Sequence, residues 1–385
     1  MGSMVETASA VIIGGGITGC ATAYELAKRG LTDVVLLEKD YLTAGATGRC
    51  AAGVRQQWGL EMNIRLSRGS CKILETLEED LGYPHSIEFK QGGYLLLAFS
   101  EALLEQFRRN IKLQSKLGVP SREVSIEEAQ QIVPHLCTDE LVGATFCPED
   151  GHANPFHTTM AYAHAARKLG VDIRTRTLVT GIDVSQGRVV GVQTDRGYIS
   201  TEIVYNAAGP HSGPVAAMAG VEIPVYSERH QILVTEPVTP YQGPMVISFE
   251  RGWYCQQTPH GAFIAGLGDP SEPKGINNEA TWQFAELLAY EILRILPSLK
   301  ELRVVRQWSG QYNITPDAQP ILGGVRGLEG YYMAVGFSGH GFMVAPMTAR
   351  LMAQMITGEE PDMDIGMLDL ERFERGELIL EPNVV

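Results

Sequence analysis

Apolar residues fill positions 10–13, three glycines follow, and a helical spacing of apolar positions then runs through Tyr24, Leu26 and Ala27. The first run predicts a buried strand and the second an amphipathic helix, which stops at the basic turn Lys28-Arg29 and Gly30. VVLLEKD, residues 34–40, predicts a second fully apolar strand that ends on Glu38. Strand, helix and strand in that order form a βαβ unit. EIVYNAAGPHS, residues 202–212, reads as another inner strand ending at Asn206 and turning at Gly209 and Pro210. Residues 171–200 alternate apolar and polar about turns at Gly187 and Gly197, the pattern of a small antiparallel ribbon.

Two other stretches have a different texture. Residues 86–147 open with the strand-like FKQGGYLLLAF and continue as an amphipathic helix around Leu103, Leu104, Phe107 and Ile111. A further helix starts at SIEEAQQI, where Ser125 and Glu128 have capping-box spacing. Residues 221–312 carry the strand-like ERHQILVT, PMVISF, GWYCQQT and GAFIAGLG, then a helix around Trp282, Phe284, Leu287, Leu288 and Leu293. Further on, GYYMAVGFSGHGFMVAP at 330–346 is as dense in glycine as SAVIIGGGITG at 9–19. Glycine inside an element costs roughly 0.5–1 kcal/mol, so two such clusters mark backbone that approaches something closely. Both are expected to approach one bound molecule. The charged run ERFERGE, from 371, is expected to be solvated surface.

Composition narrows the classes. With 385 residues, 44% hydrophobic and 20% charged, the chain is globular and long enough for two or three domains. A net charge of −14 without a basic block argues against nucleic acid as a partner. Six cysteines, at 20, 50, 71, 137, 147 and 255, show no CxxC or metal-finger spacing and read as apolar fillers in a reducing compartment. Residues 7–24 are uncharged, but their triple glycine and the lack of a basic n-region oppose an export signal or a membrane span. The expectation is a cytoplasmic protein without a transmembrane segment.

The chemistry starts at Gly14, Gly16 and Gly19, whose GxGxxG spacing lies between strand and helix. In that context the helix N-terminus and its free N–H groups receive a pyrophosphate, and Glu38 accepts the ribose hydroxyls. A carboxylate there suits FAD or NAD and opposes a 2′-phosphate.

This fingerprint, GATGRCAAGVRQQW at 45–58, NAAGPHSG and GFSGHGFMVAP together resemble the D-amino-acid-oxidase class of FAD-dependent amine and amino-acid oxidoreductases. Within the class, the chain is most similar to the catalytic beta subunits of L-proline dehydrogenase and heterotetrameric sarcosine oxidase. The resemblance implies an α/β fold: a Rossmann-like FAD-binding domain with a discontinuous mixed α+β substrate domain. Residues 1–85, 148–220 and 313–385 would form the first, and residues 86–147 and 221–312 the second. FAD would lie extended, held by Gly14, Gly16, Gly19, Glu38, Lys39, Thr47, Arg49 and Gly209 at one end. Gly336, Gly339, His340, Gly341, Phe342 and Met343 would meet its flavin.

The resemblance also implies oxidation of a secondary amino acid by hydride transfer to flavin, with L-proline as the first substrate. Sarcosine, glycine or a D-amino acid, or an electron-transfer subunit without its own chemistry, are the alternatives. Arg55 matches the carboxylate-binding arginine of the single-chain sarcosine oxidases, whose IIR is GVR here; a helix-cap or phosphate contact is its other reading. Arg49 could face the pyrophosphate or the flavin. Trp253 and Tyr254, with Gln256 on the side of Tyr254, and Trp308 and Tyr312 are candidate pocket walls, while His230 and His260 offer hydrogen bonds but read first as structural histidines. Asp317 is expected in a turn or as flavin support. Met343 stands where the single-chain enzymes have lysine, which favours an acceptor other than oxygen. FAD is expected to be noncovalent, because the cysteine and histidine used for attachment in relatives have no match in register. An alpha-type electron-transfer subunit, with FMN at the interface, or a homo-oligomer are the partners implied.

Overall fold

The computed structural model describes residues 6–382. Residues 1–5 and 383–385 of the expected cofactor domain lie outside the described residues.

A ten-stranded sheet is built around parallel neighbours. Ala10–Ile13 lies between Val34–Leu37 and Val204–Asn206, which in turn pairs with Leu328–Val335. The inner strands read as continuous apolar runs because both of their faces are covered. Ala10 and Ile12 point into one core, and Val11 and Ile13 into another. The first core holds the helices Ile17–Lys28, Glu61–Leu81, Pro155–Lys168 and Gly341–Thr357. The second lies under the ribbon Val179–Ser185, Arg188–Thr194 and Gly197–Ser200, which matches the alternation in the sequence. Asp172–Arg174 departs from the ribbon reading and extends the parallel sheet beside Val34–Leu37.

The second sheet has eight strands, contributed only by residues 94–147 and 226–314. Met245–Ser248 runs parallel to Tyr94–Ala98, and the other pairings are antiparallel. The helix Trp282–Ile292 covers one face, and Leu104 and Phe107 of Glu101–Lys116 cover part of the other. Ser125 caps its helix as expected, its hydroxyl accepting the Glu128 N–H at 3.1 Å. The edge strand Val304–Ile314 runs out of this sheet toward the first one and brings Tyr312 and Asn313 to the junction.

One expectation reverses. Within ERFERGE, Arg372 is wholly buried and forms an ion pair with Asp317, Nε to Oδ2 at 2.9 Å. Charge density along the sequence did not show that the Leu370–Arg372 turn folds this one residue inward, onto the TPD bend.

Candidate active site

The helices Ile17–Lys28 and Gly341–Thr357 pack against each other and start at the same cavity. Neither N-cap residue, Gly16 nor His340, supplies a side-chain cap. Two helix N-termini therefore direct their positive dipole ends toward one space.

The glycines divide the work at the first end. Gly14 has φ +117°, and a Cβ there would overlap the Ala207 carbonyl. Gly16 lines the cavity, whereas a Cβ on Gly19 would overlap the Gly14 carbonyl, so Gly19 lets the helix pack on the strand. Glu38 lines the cavity and is fixed by N–H groups of Gly15 at 2.7 Å and Asp40 at 2.8 Å. Thr47 Oγ1 accepts the Ile17 N–H at 3.1 Å, directly at the helix start. Arg49 and Gly209 also line the cavity, and Arg49 Nη1, from the short turn Ala46–Arg49, donates to Ser309 O on the edge strand of the second sheet at 3.0 Å. Lys39 is exposed and outside the lining, with Nζ 2.7 Å from His211 Nε2.

At the far end Gly339, His340, Gly341, Phe342 and Met343 line the same cavity. Gly336 does not. Its φ of +74° and its N–H to Asn313 Oδ1 at 2.9 Å shape the turn that precedes them.

Arg55 is 4% exposed and lies with its guanidinium 3.7 Å from the centre of the Trp58 ring. Its Nη1 donates to Gln57 O at 2.7 Å. Burial pushes its pKa down, and Glu381, Tyr94 and Asp150 act against that shift. His340 meets Trp58 edge-on at 5.1 Å. Burial, and then the charge of Arg55, hold its pKa at about 3, so it is neutral. Its Nε2 is buried without a hydrogen-bond partner among the described residues.

His230, Tyr254 and Tyr312 form a layered set on the sheet wall. His230 stacks on Tyr312 at 4.4 Å and on Tyr254 at 5.6 Å, with Nε2 3.1 Å from Tyr254 Oη. Burial holds His230 at about 4. Trp253, by contrast, is outside the lining: strand alternation sends it to the opposite face, where it is 0% exposed in the apolar core. Gln256 and Trp308 hold the loop before Arg55, donating to Ala51 O at 2.8 Å and Arg49 O at 3.0 Å. His260 is 76% exposed on its side chain and pairs with Glu88, away from the cavity. Trp58, Tyr94, Met245 and Ile247 also line the site but were not singled out from the sequence. Period-two alternation places Tyr94 on the strand face of Leu96, and Met245 on that of Ile247, but only the packed sheet shows which face meets the cavity.

Residues 9–355 match the family model described as FAD-dependent oxidoreductase, DAO. The chain belongs to the DAO family. L-proline dehydrogenase from P. horikoshii is 38% identical and superposes with a TM-score of 0.92, covering 98% of this chain and 100% of that one. Sarcosine oxidase subunit beta of Rhodobacter capsulatus is 29% identical over 96% of this chain and 90% of its own length. Human mitochondrial sarcosine dehydrogenase is 30% identical, but this chain spans only 42% of its length. The cavity of this DAO-family chain fits FAD: it joins two helix N-termini, the Gly14 cradle and a fixed Glu38 to an aromatic-lined end. Among the described residues no helix is long and apolar enough to cross a membrane.

Proposed function

We propose that this chain oxidises the CH–NH bond of a small secondary amino acid whose carboxylate is held by Arg55. One observation carries the reading: a buried guanidinium opens onto the same cavity as the glycine cradle and the His230–Tyr254–Tyr312 wall. Bound FAD supplies the two-electron acceptor. Arg55 offers parallel donors to two carboxylate oxygens and so fixes the orientation of the substrate. Neutral His230 and His340 leave the amine free of added positive charge. Tyr254 Oη, bonded to His230 Nε2, is a site at which the amine proton can be held. Tyr254, Met245 and Ile247 exclude water and suit an apolar N-substituent.

Two substrates fit. The 38% identity to a proline dehydrogenase supports L-proline, which would give pyrroline-5-carboxylate if C5 is oxidised. The sarcosine oxidase and sarcosine dehydrogenase relatives support sarcosine, which would give formaldehyde and glycine after hydrolysis. Met343 brings no cation to the cavity, in keeping with delivery of electrons to an acceptor other than oxygen. An alpha-type partner subunit, noncovalent FAD and FMN at an interface belong to the same proposal; the sarcosine oxidase relatives are named as beta subunits.

Anaerobic absorbance of the FAD-loaded protein tests the reading. Bleaching by L-proline alone or by sarcosine alone selects the substrate. No bleaching by either, or by glycine or D-amino acids, overturns it.

A further inference from the structure

The helix Glu61–Leu81 starts six residues beyond Arg55, and its cap is unusual. The N-cap residue is Leu60, whose side chain cannot accept a hydrogen bond. A carboxylate from the opposite end of the sequence does so instead. Glu381 accepts the N–H of Gly59 at 2.8 Å, the N–H of Leu60 at 3.1 Å and Asn63 Nδ2 at 2.9 Å. Pro382 lies so close that a Cβ on Gly59 would overlap its ring. Asp317, already tied to Arg372, anchors the same segment by accepting the Ile379 N–H at 3.2 Å.

The contact continues into the site through one residue. Trp58, next to Gly59, donates Nε1 to Arg55 O at 2.9 Å and covers the Arg55 guanidinium. On the other side Asp150 accepts from Gln56 N–H at 2.7 Å and Gln57 Nε2 at 3.0 Å. The segment 55–60 is thus held between two carboxylates, both distant in sequence. A helix cap alone would need only a Ser or Asp at position 60.

We propose that Glu381 is a positioning residue for Arg55, setting the guanidinium through Gly59 and Trp58. The inference rests on Arg55 binding the substrate carboxylate. Glu381 also faces Arg55 electrostatically, as the largest influence among the described residues that opposes the effect of its burial.

The test uses the full-length FAD-loaded protein and acetate as a carboxylate probe, with binding followed by perturbation of the flavin band. Glu381→Ala is expected to weaken acetate and to raise substrate KM by about 10-fold each, with kcat changed less than about 2-fold. Glu381→Asp should recover most of both. If Glu381→Ala lowers Tm but leaves acetate affinity and KM unchanged, Glu381 is a helix cap only and the proposal fails. Should that variant not fold, the near-isosteric Glu381→Gln decides by the same affinity criterion. Arg55→Ala, measured alongside, separates the two ideas. Native acetate binding in Arg55→Ala overturns the substrate reading and this inference with it. Lost binding there with native binding in Glu381→Ala overturns the positioning role alone.

Discussion

The imidazole of His230 lies face to face with the phenol of Tyr312, ring centres 4.4 Å apart and planes 5° from parallel. Adjacent antiparallel strands produce this geometry: His230 stands opposite Gly310, two residues before Tyr312, so the two rings share one sheet face. Replacing His230 with Phe keeps a ring there but removes the Tyr254 hydrogen bond. The expected result is a fall in kcat/KM of about 10- to 100-fold with FAD content unchanged, measured by anaerobic stopped-flow reduction.

The same residue sets an acid limit on stability. His230 is held at about 4 and His340 at about 3, against an ordinary 6.5. The unfolded chain therefore takes up protons below pH 6.5 that the folded chain refuses. That stability is full above pH 6.5 and falls as the pH drops toward 4. Each histidine costs about 1.4 kcal/mol per pH unit in this window. Asp150, raised by burial to about 7, acts in the opposite sense. Chemical denaturation at pH 7 and pH 5 should show a smaller loss for His230→Phe than for the native protein. Equal losses would disprove the assignment.

Arg372 and Asp317 have fully buried side chains, so removing one partner strands a charge. Arg372→Leu should cost about 3–5 kcal/mol, and the pair Arg372→Leu with Asp317→Leu distinctly less. Urea midpoints of the two variants check the order.

Gly19→Ala should destroy FAD retention, because its Cβ would overlap the Gly14 carbonyl. Gly213→Ala is the contrast. It lies in the helix Ser212–Met218, where beyond its own chain neighbours a Cβ would meet nothing closer than Val225 Cγ2 at 3.7 Å. This change should keep FAD bound and shift stability by no more than about 1 kcal/mol, because the helix-forming gain of alanine is offset by crowding against the Pro214 ring. The ratio of flavin to protein absorbance reads the first and Tm the second.

Met343→Lys should speed reoxidation of the reduced protein by oxygen at least about 10-fold. A fixed cation in the cavity stabilises the anionic products of oxygen reduction. Mixing the substrate-reduced protein with aerated buffer measures it.

The sequence disclosed the βαβ unit and the two glycine clusters because each obeys local rules: apolar runs, glycine spacing and a terminal carboxylate. It also disclosed the alternation of Trp253 with Tyr254. It did not disclose which of the two faces the cavity, since both faces of that strand are apolar and only the neighbouring helices decide. His230 carried no local signal, because its partners Tyr254 and Tyr312 are brought to it by strand pairing. Arg372 and Glu381 were illegible for a related reason. Arg372 in its charged run, and Glu381 in a short segment near the C-terminus, both look solvated until a distant segment supplies their partners.

Val304–Ile314 belongs to both halves of the molecule. Ser309 on this strand accepts Arg49, and Asn313 accepts both Gly336 and Ser212 at about 3 Å. A clamshell swing of the two sheets would break all three of these hydrogen bonds. A seam of this kind favours a cavity of constant width, in which enlarging a wall residue such as Met245 narrows the range of molecules that fit.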